Sequence, residues 1–265
     1  MNVKVFRRRE AILERIEGRG KVFIKDLSEV FGVSMETIRK DFEALSRLEG
    51  IERFHGGLKK NNRRIEEYHY YYHHSKSLNI EEKKRIAYKG FQLIEEGEWV
   101  YLDGGTTVAN LFNHLDLRRG VTFVTPSLIL LMRYLVEDLE QIFERNNHRL
   151  IFIGGAVNTR IYTTYGVDFN HGIGEFNFDK MYFSVDAIDI KGGLTNSDEI
   201  PYGIIQQVRG RAREKILLVD HSKFGGIRQR TALKLEDLDC LITDESLQTP
   251  WLRLLKENGI QYIKA

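Results

Sequence analysis

The chain has 265 residues, 42% of them hydrophobic, which is enough for sizeable cores in one or two domains. No apolar run approaches the roughly 20 residues of a membrane-spanning helix, and no apolar stretch or cleavage site follows Arg7-Arg8-Arg9, so neither a membrane protein nor a signal peptide is expected. A lone cysteine, Cys240, excludes an internal disulfide and a cysteine metal cluster; among Leu238, Leu241 and Ile242 it reads as a buried, inert thiol in a cytoplasmic protein.

Charge is unevenly placed. Residues 1–64 hold 16 Lys/Arg against 10 Asp/Glu, whereas the rest of the chain is mildly acidic, with 24 against 28. That asymmetry predicts nucleic-acid contact at the N-terminal end and a different partner at the other.

Three helical patterns come first. Phe6, Ile12, Leu13 and Ile16 keep near-helical spacing until Gly18 and Gly20. Ile24, Leu27, Val30 and Phe31 mark a short second helix that stops at Gly32. Ser34 then supplies an N-cap, and Ile38, Phe42, Leu45 and Leu48 form the buried stripe of a third. The short glycine-bearing connection between the last two suits a DNA-binding helix-turn-helix.

The exposed positions near the start of the third helix carry the expected base-reading residues: Ser34, Met35, Glu36, Thr37, Arg39 and Lys40. Residues 51–58 read as a β-hairpin wing that presents Arg53 and His55 to the DNA backbone or minor groove. The partner predicted for this segment is double-stranded operator DNA, and the domain is placed at 1–58.

The string Val33-Ser34-Met35-Glu36-Thr37-Ile38-Arg39-Lys40-Asp41-Phe42, followed by Arg53-Phe54-His55-Gly56-Gly57, resembles the DeoR family of bacterial regulators. The family pattern is V-S-x-x-T-I-R-R-D-L and then R-x-H-G-G. Lys40 and Phe42 depart from it, and Lys lacks the bidentate fork of Arg.

Residues 59–77 break the periodicity and read as an exposed connector. His69 and His73 share helical spacing but have no third ligand nearby, so no metal is expected; Tyr68, Tyr70, Tyr71 and Tyr72 suit an interface between domains or protomers.

From residue 78 to 265, apolar strands alternate with helices, which predicts an α/β fold with a mostly parallel sheet. Strands are expected over 99–102, 121–125, 150–153, 181–185, 216–219, 240–243 and 261–263. Helices are expected over 80–95, 108–115, 127–136, 202–213 and 251–258. Ligands of such sheets bind beyond the carboxyl ends of the strands. The loops there are distinctive: Asp103-Gly104-Gly105-Thr106-Thr107; Thr125-Pro126-Ser127; Gly154-Gly155; and Asp220 to Gly225, which carries Lys223. Glycines admit an anion close to the backbone, hydroxyls and N–H groups hold it, and a lysine matches its charge. The first loop lacks P-loop spacing, so a nucleotide triphosphate is not expected.

These landmarks are also similar to the DeoR family's effector domain, with D-G-G-T-T, T-N-S where this chain has Thr125-Pro126-Ser127, G-G and D-x-S-K-F. The resemblance implies a sensor of small phosphorylated sugars, related in fold to ribose-5-phosphate isomerase, acting in an oligomeric repressor. Pro126 departs from the usual Asn. Val185-Asp186-Ala187-Ile188-Asp189 with Lys191-Gly192-Gly193 is somewhat like the isomerase active site D-G-A-D-E and K-G-G-G. A glycine after Asp186 and an acid after Asp189 are missing, so the expectation is effector contacts by Asp186 and Lys191, no cofactor and no catalysis. The competing expectation is a retained sugar-phosphate isomerase.

Overall fold

The computed structural model describes residues 8–9, 11–13, 15–16, 20–46, 51–60, 78–137 and 139–265. Phe6, Leu48 and the histidines and tyrosines expected in the connector lie outside these residues. The chain forms two compact units, Met1–Tyr71 and Tyr72–Ala265. Among the described residues, no helix is long and apolar enough to cross a membrane.

In the first unit, helical residues between 8 and 16 precede β1 (Lys21–Phe23), α1 (Ile24–Phe31), α2 (Met35–Leu45), β2 (Ile51–Phe54) and β3 (Gly57–Lys60). Gly32 ends α1 in the left-handed region at φ 61°, where only glycine is at ease, and returns its N–H to Glu29 O. Ser34 caps α2 by accepting the Thr37 N–H at 3.2 Å. The buried side chains of these elements make one core: Ile12, Ile16, Val22, Leu27, Ile38, Phe42, Leu45 and Leu58. Phe42, with no exposed surface, contributes about 2–3 kcal/mol by leaving water.

Strand β1 was not expected from the sequence. Its three residues pair antiparallel with β3, Val22 opposite Leu58, to complete a three-stranded sheet in the order β1-β3-β2. A ladder closed across more than thirty residues leaves no local periodicity to read. β3 also runs on to Lys60, two residues into the expected connector, because Lys59 and Lys60 continue the pairing with β2.

The second unit contains α3 (Ile80–Gln92), β4 (Trp99–Leu102), α4 (Thr106–Ala109), β5 (Thr122–Thr125), α5 (Leu128–Val136), α6 (Leu139–Arg145) and β6 (Arg149–Phe152). After these come β7 (Ala156–Asn158), β8 (Thr163–Tyr165), α7 (Val167–Gly174), β9 (Phe178–Phe183), β10 (Ala187–Asp189), β11 (Gly193–Asn196) and α8 (Glu199–Val208). The chain ends with β12 (Ala212–Leu218), β13 (Arg230–Leu233), β14 (Cys240–Thr243), α9 (Thr249–Glu257) and β15 (Gln261–Lys264).

Seven strands form a sheet in the order β15-β14-β12-β9-β4-β5-β6, with every neighbouring pair parallel. Alternate residues enter opposite cores. Tyr101, Phe183 and Leu217 face α7, α8 and α9; Val100, Leu102, Tyr182 and Leu218 face α3 to α6. The chain lays down β4, β5 and β6 outward in one direction, then returns to place β9 on the other side of β4. The crevice beyond β4 and β9 is therefore the topological switch point, where ligands of doubly wound sheets sit.

Several boundaries differ from expectation. Strand β9 begins at Phe178 and β12 at Ala212, so Arg213 is in a strand and not at the end of a helix. Helix α8 starts early, at Glu199, because the Asp198 carboxylate accepts the Ile200 N–H at 2.9 Å. The helix expected over 108–115 is one α turn followed by a 3-10 run, Asn110–Leu117. There the Asn110 amide donates to Thr106 O at 2.8 Å, a local bond that competes with the α ladder. A small antiparallel sheet, β10-β11-β13, and the β7–β8 hairpin were not anticipated.

Candidate functional site

On the first unit, α2 buries Ile38, Asp41, Phe42 and Leu45 and leaves Met35, Glu36, Arg39 and Lys40 exposed. Arg39 and Lys40, the residues expected to read bases, are thus on the exposed face of α2. Glu36 holds the Arg39 guanidinium at 3.3 Å, one turn away. The Ser34 and Thr37 hydroxyls lie 2.9 Å apart and serve the cap. The wing places Arg53 and His55 on the surface. Its tip turns through Gly56 at φ 84°, and a Cβ on Gly57 would collide with the Phe54 ring and the Val22 carbonyl.

On the second unit, the loops after β4, β5, β6, β9 and β12 share one edge because their strands are parallel. Asp103 lies at the centre of that edge, 7% exposed. Burial raises its carboxyl from an ordinary 3.8 to about 6, opposed by the Gly104 N–H. Gly105 faces Ser184 beyond β9, 3.1 Å from where a Cβ would stand, so the loop closes against the switch point. Gly104 lies against Ile161 and Thr163. Thr106 is half-buried and Thr107 is buried, 3% exposed.

The other sequence-singled residues divide. The Thr125 hydroxyl donates to Leu102 O at 2.6 Å and accepts the Ser127 N–H at 3.0 Å, while Ser127 caps α5; both are fully buried and serve the frame. Gly155, at φ 147°, lets β7 approach β8, since a Cβ there would stand 2.5 Å from Tyr165 O. Gly154 is exposed beside it. Both follow β6, the edge strand two places from β4.

Lys223 follows β12, half-exposed, and among the described residues its ammonium makes no ion pair. It belongs to a cluster that the sequence reading missed. Lys83, 4% exposed, extends from α3 to within 4.0 Å of Asp220, and the Asn79 amide donates to Asp220 at 3.0 Å. Burial lowers the Lys83 ammonium's pKa, Asp220 opposes that, and neighbouring Lys223 adds to it. Burial pushes Asp220 upward, but Ser222, Lys83 and Asn79 outweigh it and leave the carboxyl below its ordinary range. His221, pulled upward by its 2.7 Å bond to Asp244, adds a further group that gains positive charge readily.

A signal for Lys83 did exist: it continues the buried stripe of Ile86, Ala87, Gly90 and Phe91, where a lysine needs a partner. A cavity of about 260 Å³ opens beside it, lined partly by Lys84, Thr106, Asn110 and Arg133. Among the described residues, no group of three or more His, Cys, Asp or Glu is placed to hold a metal ion.

The isomerase-like residues are dispersed. Asp186 precedes β10 and accepts the Ser197 N–H at 2.8 Å, whereas Lys191 lies at the far turn of the β10–β11 hairpin. Three residues of strand separate them by roughly 10 Å. Asp189 accepts the N–H groups of Lys191 and Gly192 at 2.8 and 2.9 Å, which hold its carboxyl below the ordinary range. It shapes the turn. No pair of carboxylates converges with the lysine there.

A winged helix-turn-helix joined to a doubly wound α/β unit with a polar switch-point crevice defines a DNA-binding regulator with its own sensor domain. Residues 8–64 match the DeoR-like helix-turn-helix domain and residues 78–245 the DeoR C terminal sensor domain. The chain belongs to the DeoR family and is a DNA-binding transcriptional regulator. It is 29% identical to the HTH-type transcriptional regulator IolR of Bacillus subtilis, over 93% of this chain and 94% of that one. It is 32% identical to the lactose phosphotransferase system repressor of Streptococcus mutans, over 89% and 91% of the two chains. With the glycerol-3-phosphate regulon repressor of Escherichia coli it shares 29% identity over 98% of each. Among solved structures, a ribose 5-phosphate isomerase from Plasmodium falciparum aligns with 54% of this chain and 52% of its own, at 19% identity and a TM-score of 0.34.

Proposed function

We propose that the protein is a cytoplasmic, oligomeric repressor of sugar-metabolism genes whose sensor domain binds a small phosphorylated sugar and thereby releases operator DNA. The observation that carries this reading is the pairing, on one sheet edge, of a buried carboxylate at Asp103 with the Lys83–Asp220–Lys223 cluster. Strand β9 alone separates β4 from β12, so the two groups stand about 10 Å apart, two interstrand spacings. That span suits a polyol whose hydroxyls donate to Asp103 and whose phosphate lies against Lys223. The relatives named for glycerol-3-phosphate and for the lactose phosphotransferase system support the same class of ligand.

The ligand acts by binding the DNA-free state more tightly than the DNA-bound one, and DNA must weaken ligand binding by the same factor. Asp186 and Lys191, apart from one another, offer polar contacts and no proton-transfer pair, so the sugar is sensed and not converted.

The test is thermal unfolding with ribose 5-phosphate, glucose 6-phosphate, glycerol 3-phosphate and their unphosphorylated parents. An ester at a hundred times its Kd should add about 2.7 kcal/mol of stability, and its parent none. Lys223→Ala should remove that gain and keep DNA affinity. No shift with any ester, or an equal shift with the parents, refutes the ligand class. Aldose–ketose conversion that Asp186→Ala abolishes refutes the absence of turnover.

A further inference from the structure

Recognition helix α2 carries one charged residue on its buried face. Asp41 is 1% exposed, while its chain neighbours Arg39 and Lys40 point outward. A carboxylate removed from water needs opposite charge and hydrogen bonds to offset its lost hydration. It has both. Arg8 donates from Nε to Oδ2 at 2.5 Å and Arg9 from Nε to Oδ1 at 2.8 Å. The two guanidiniums come from the N-terminal helical segment, and their side chains are 14% and 32% exposed, against 56% for Arg39.

We propose that Asp41 is a positioning residue for sequence-specific reading: it clamps Arg8 and Arg9 against the inner face of the recognition helix and withholds both from DNA phosphates. Two consequences follow from the geometry. The clamp ties the N-terminal segment to α2 within one helical turn of Arg39 and Lys40, and so fixes the angle at which those side chains enter the groove. It also removes two cations from a basic unit that would otherwise bind any duplex. Non-specific affinity is set by the number of phosphates neutralised, so each arginine withheld lowers affinity for arbitrary DNA without touching base contacts. Discrimination between sites rises accordingly.

The experiment uses the full chain and a mixed-sequence duplex of about three helical turns, followed by fluorescence anisotropy between about 50 and 200 mM KCl. Asp41→Asn should steepen the dependence of log affinity on log salt by about 0.9 for each arginine freed to reach a phosphate, about 1.8 in all. It should also tighten binding to this duplex at low salt. Adding Arg8→Ala and Arg9→Ala to that variant should restore the wild-type slope. In the otherwise native chain, Arg9→Ala, which leaves Arg8 on the carboxylate, should leave the slope unchanged.

A merely structural role for Asp41 gives the opposite sign, because a loosened helix makes fewer phosphate contacts and a shallower slope. An unchanged or shallower slope for folded Asp41→Asn therefore overturns the proposal. If circular dichroism shows that variant unfolded, Arg9→Ala decides: a slope reduced by about 0.9 means that Arg9 already contacts phosphate and overturns it, and an unchanged slope supports it.

Discussion

Asp103 should make the sensor domain less stable as pH rises, and Asp103→Asn should remove that penalty. The folded-state value of about 6 lies above the ordinary 3.8, so the fold favours the protonated acid. Its stability is fully present below 3.8 and is lost as pH rises through about 6. Proton linkage between those two values gives a loss of about 1.6 kcal/mol at pH 5 and about 3 kcal/mol at pH 8. An asparagine cannot ionise. It brings a cost of its own, because its amide replaces a carboxyl oxygen in a buried setting, but that cost does not vary with pH. The quantity to measure is therefore the change in the mutational effect between pH 5 and pH 8, about 1.4 kcal/mol in favour of asparagine at the higher pH. Urea unfolding of the full chain, followed by the fluorescence of Trp99 and Trp251 in the sensor unit, reads it directly. A mutational effect that is constant across this range, or that moves toward aspartate at pH 8, refutes the buried carboxylate as the titrating group. A carboxylate retained at such a position is expected where function needs an acceptor that the fold alone does not.

Three further outcomes follow from the geometry. Gly57→Ala places a methyl against the Phe54 ring and the Val22 carbonyl, so the wing should be destabilised by about 1–3 kcal/mol; mobility-shift titration should show weakened DNA binding while thermal unfolding of the sensor stays unchanged. Tyr182→Phe removes a buried hydroxyl that donates to Gly90 O at 2.9 Å and should cost about 1 kcal/mol in denaturant unfolding. Asp244→Asn should lower the His221 pKa, because the hydrogen bond that raises it is weakened; an NMR titration of the imidazole in both proteins gives the sign.

Sequence periodicity was a good guide wherever burial is continuous and local. Strands β4 and β14 were legible to the residue because Trp99 to Leu102 and Cys240 to Thr243 are apolar or β-branched runs bounded by polar neighbours. The Ser34 cap and the Gly32 stop were legible because each acts within a few residues of its own position. What escaped depends on distant partners. β1 exists through a ladder to β3, and although the helical stripe marks Lys83 as buried, its partner Asp220 lies 137 positions later in the chain and 4.0 Å away in space. Thr125 shows the converse. Its hydroxyl sits where a ligand-binding loop was expected, yet Leu102 O holds it, a partner that only the folded sheet supplies.

The strand order has a consequence for synthesis. Val100 pairs with Lys180, so the central pair of the seven-stranded sheet joins residues eighty positions apart. At about 5–20 residues per second, a ribosome needs roughly 4–16 s between delivering the two strands. During that interval β4, β5 and β6 have no β9 to cover the open flank of β4. The winged helix, whose sheet closes between Lys21 and Lys60, has by then left the tunnel complete. Each newly made molecule thus acquires its means of holding DNA before it has a crevice with which to receive the signal for release.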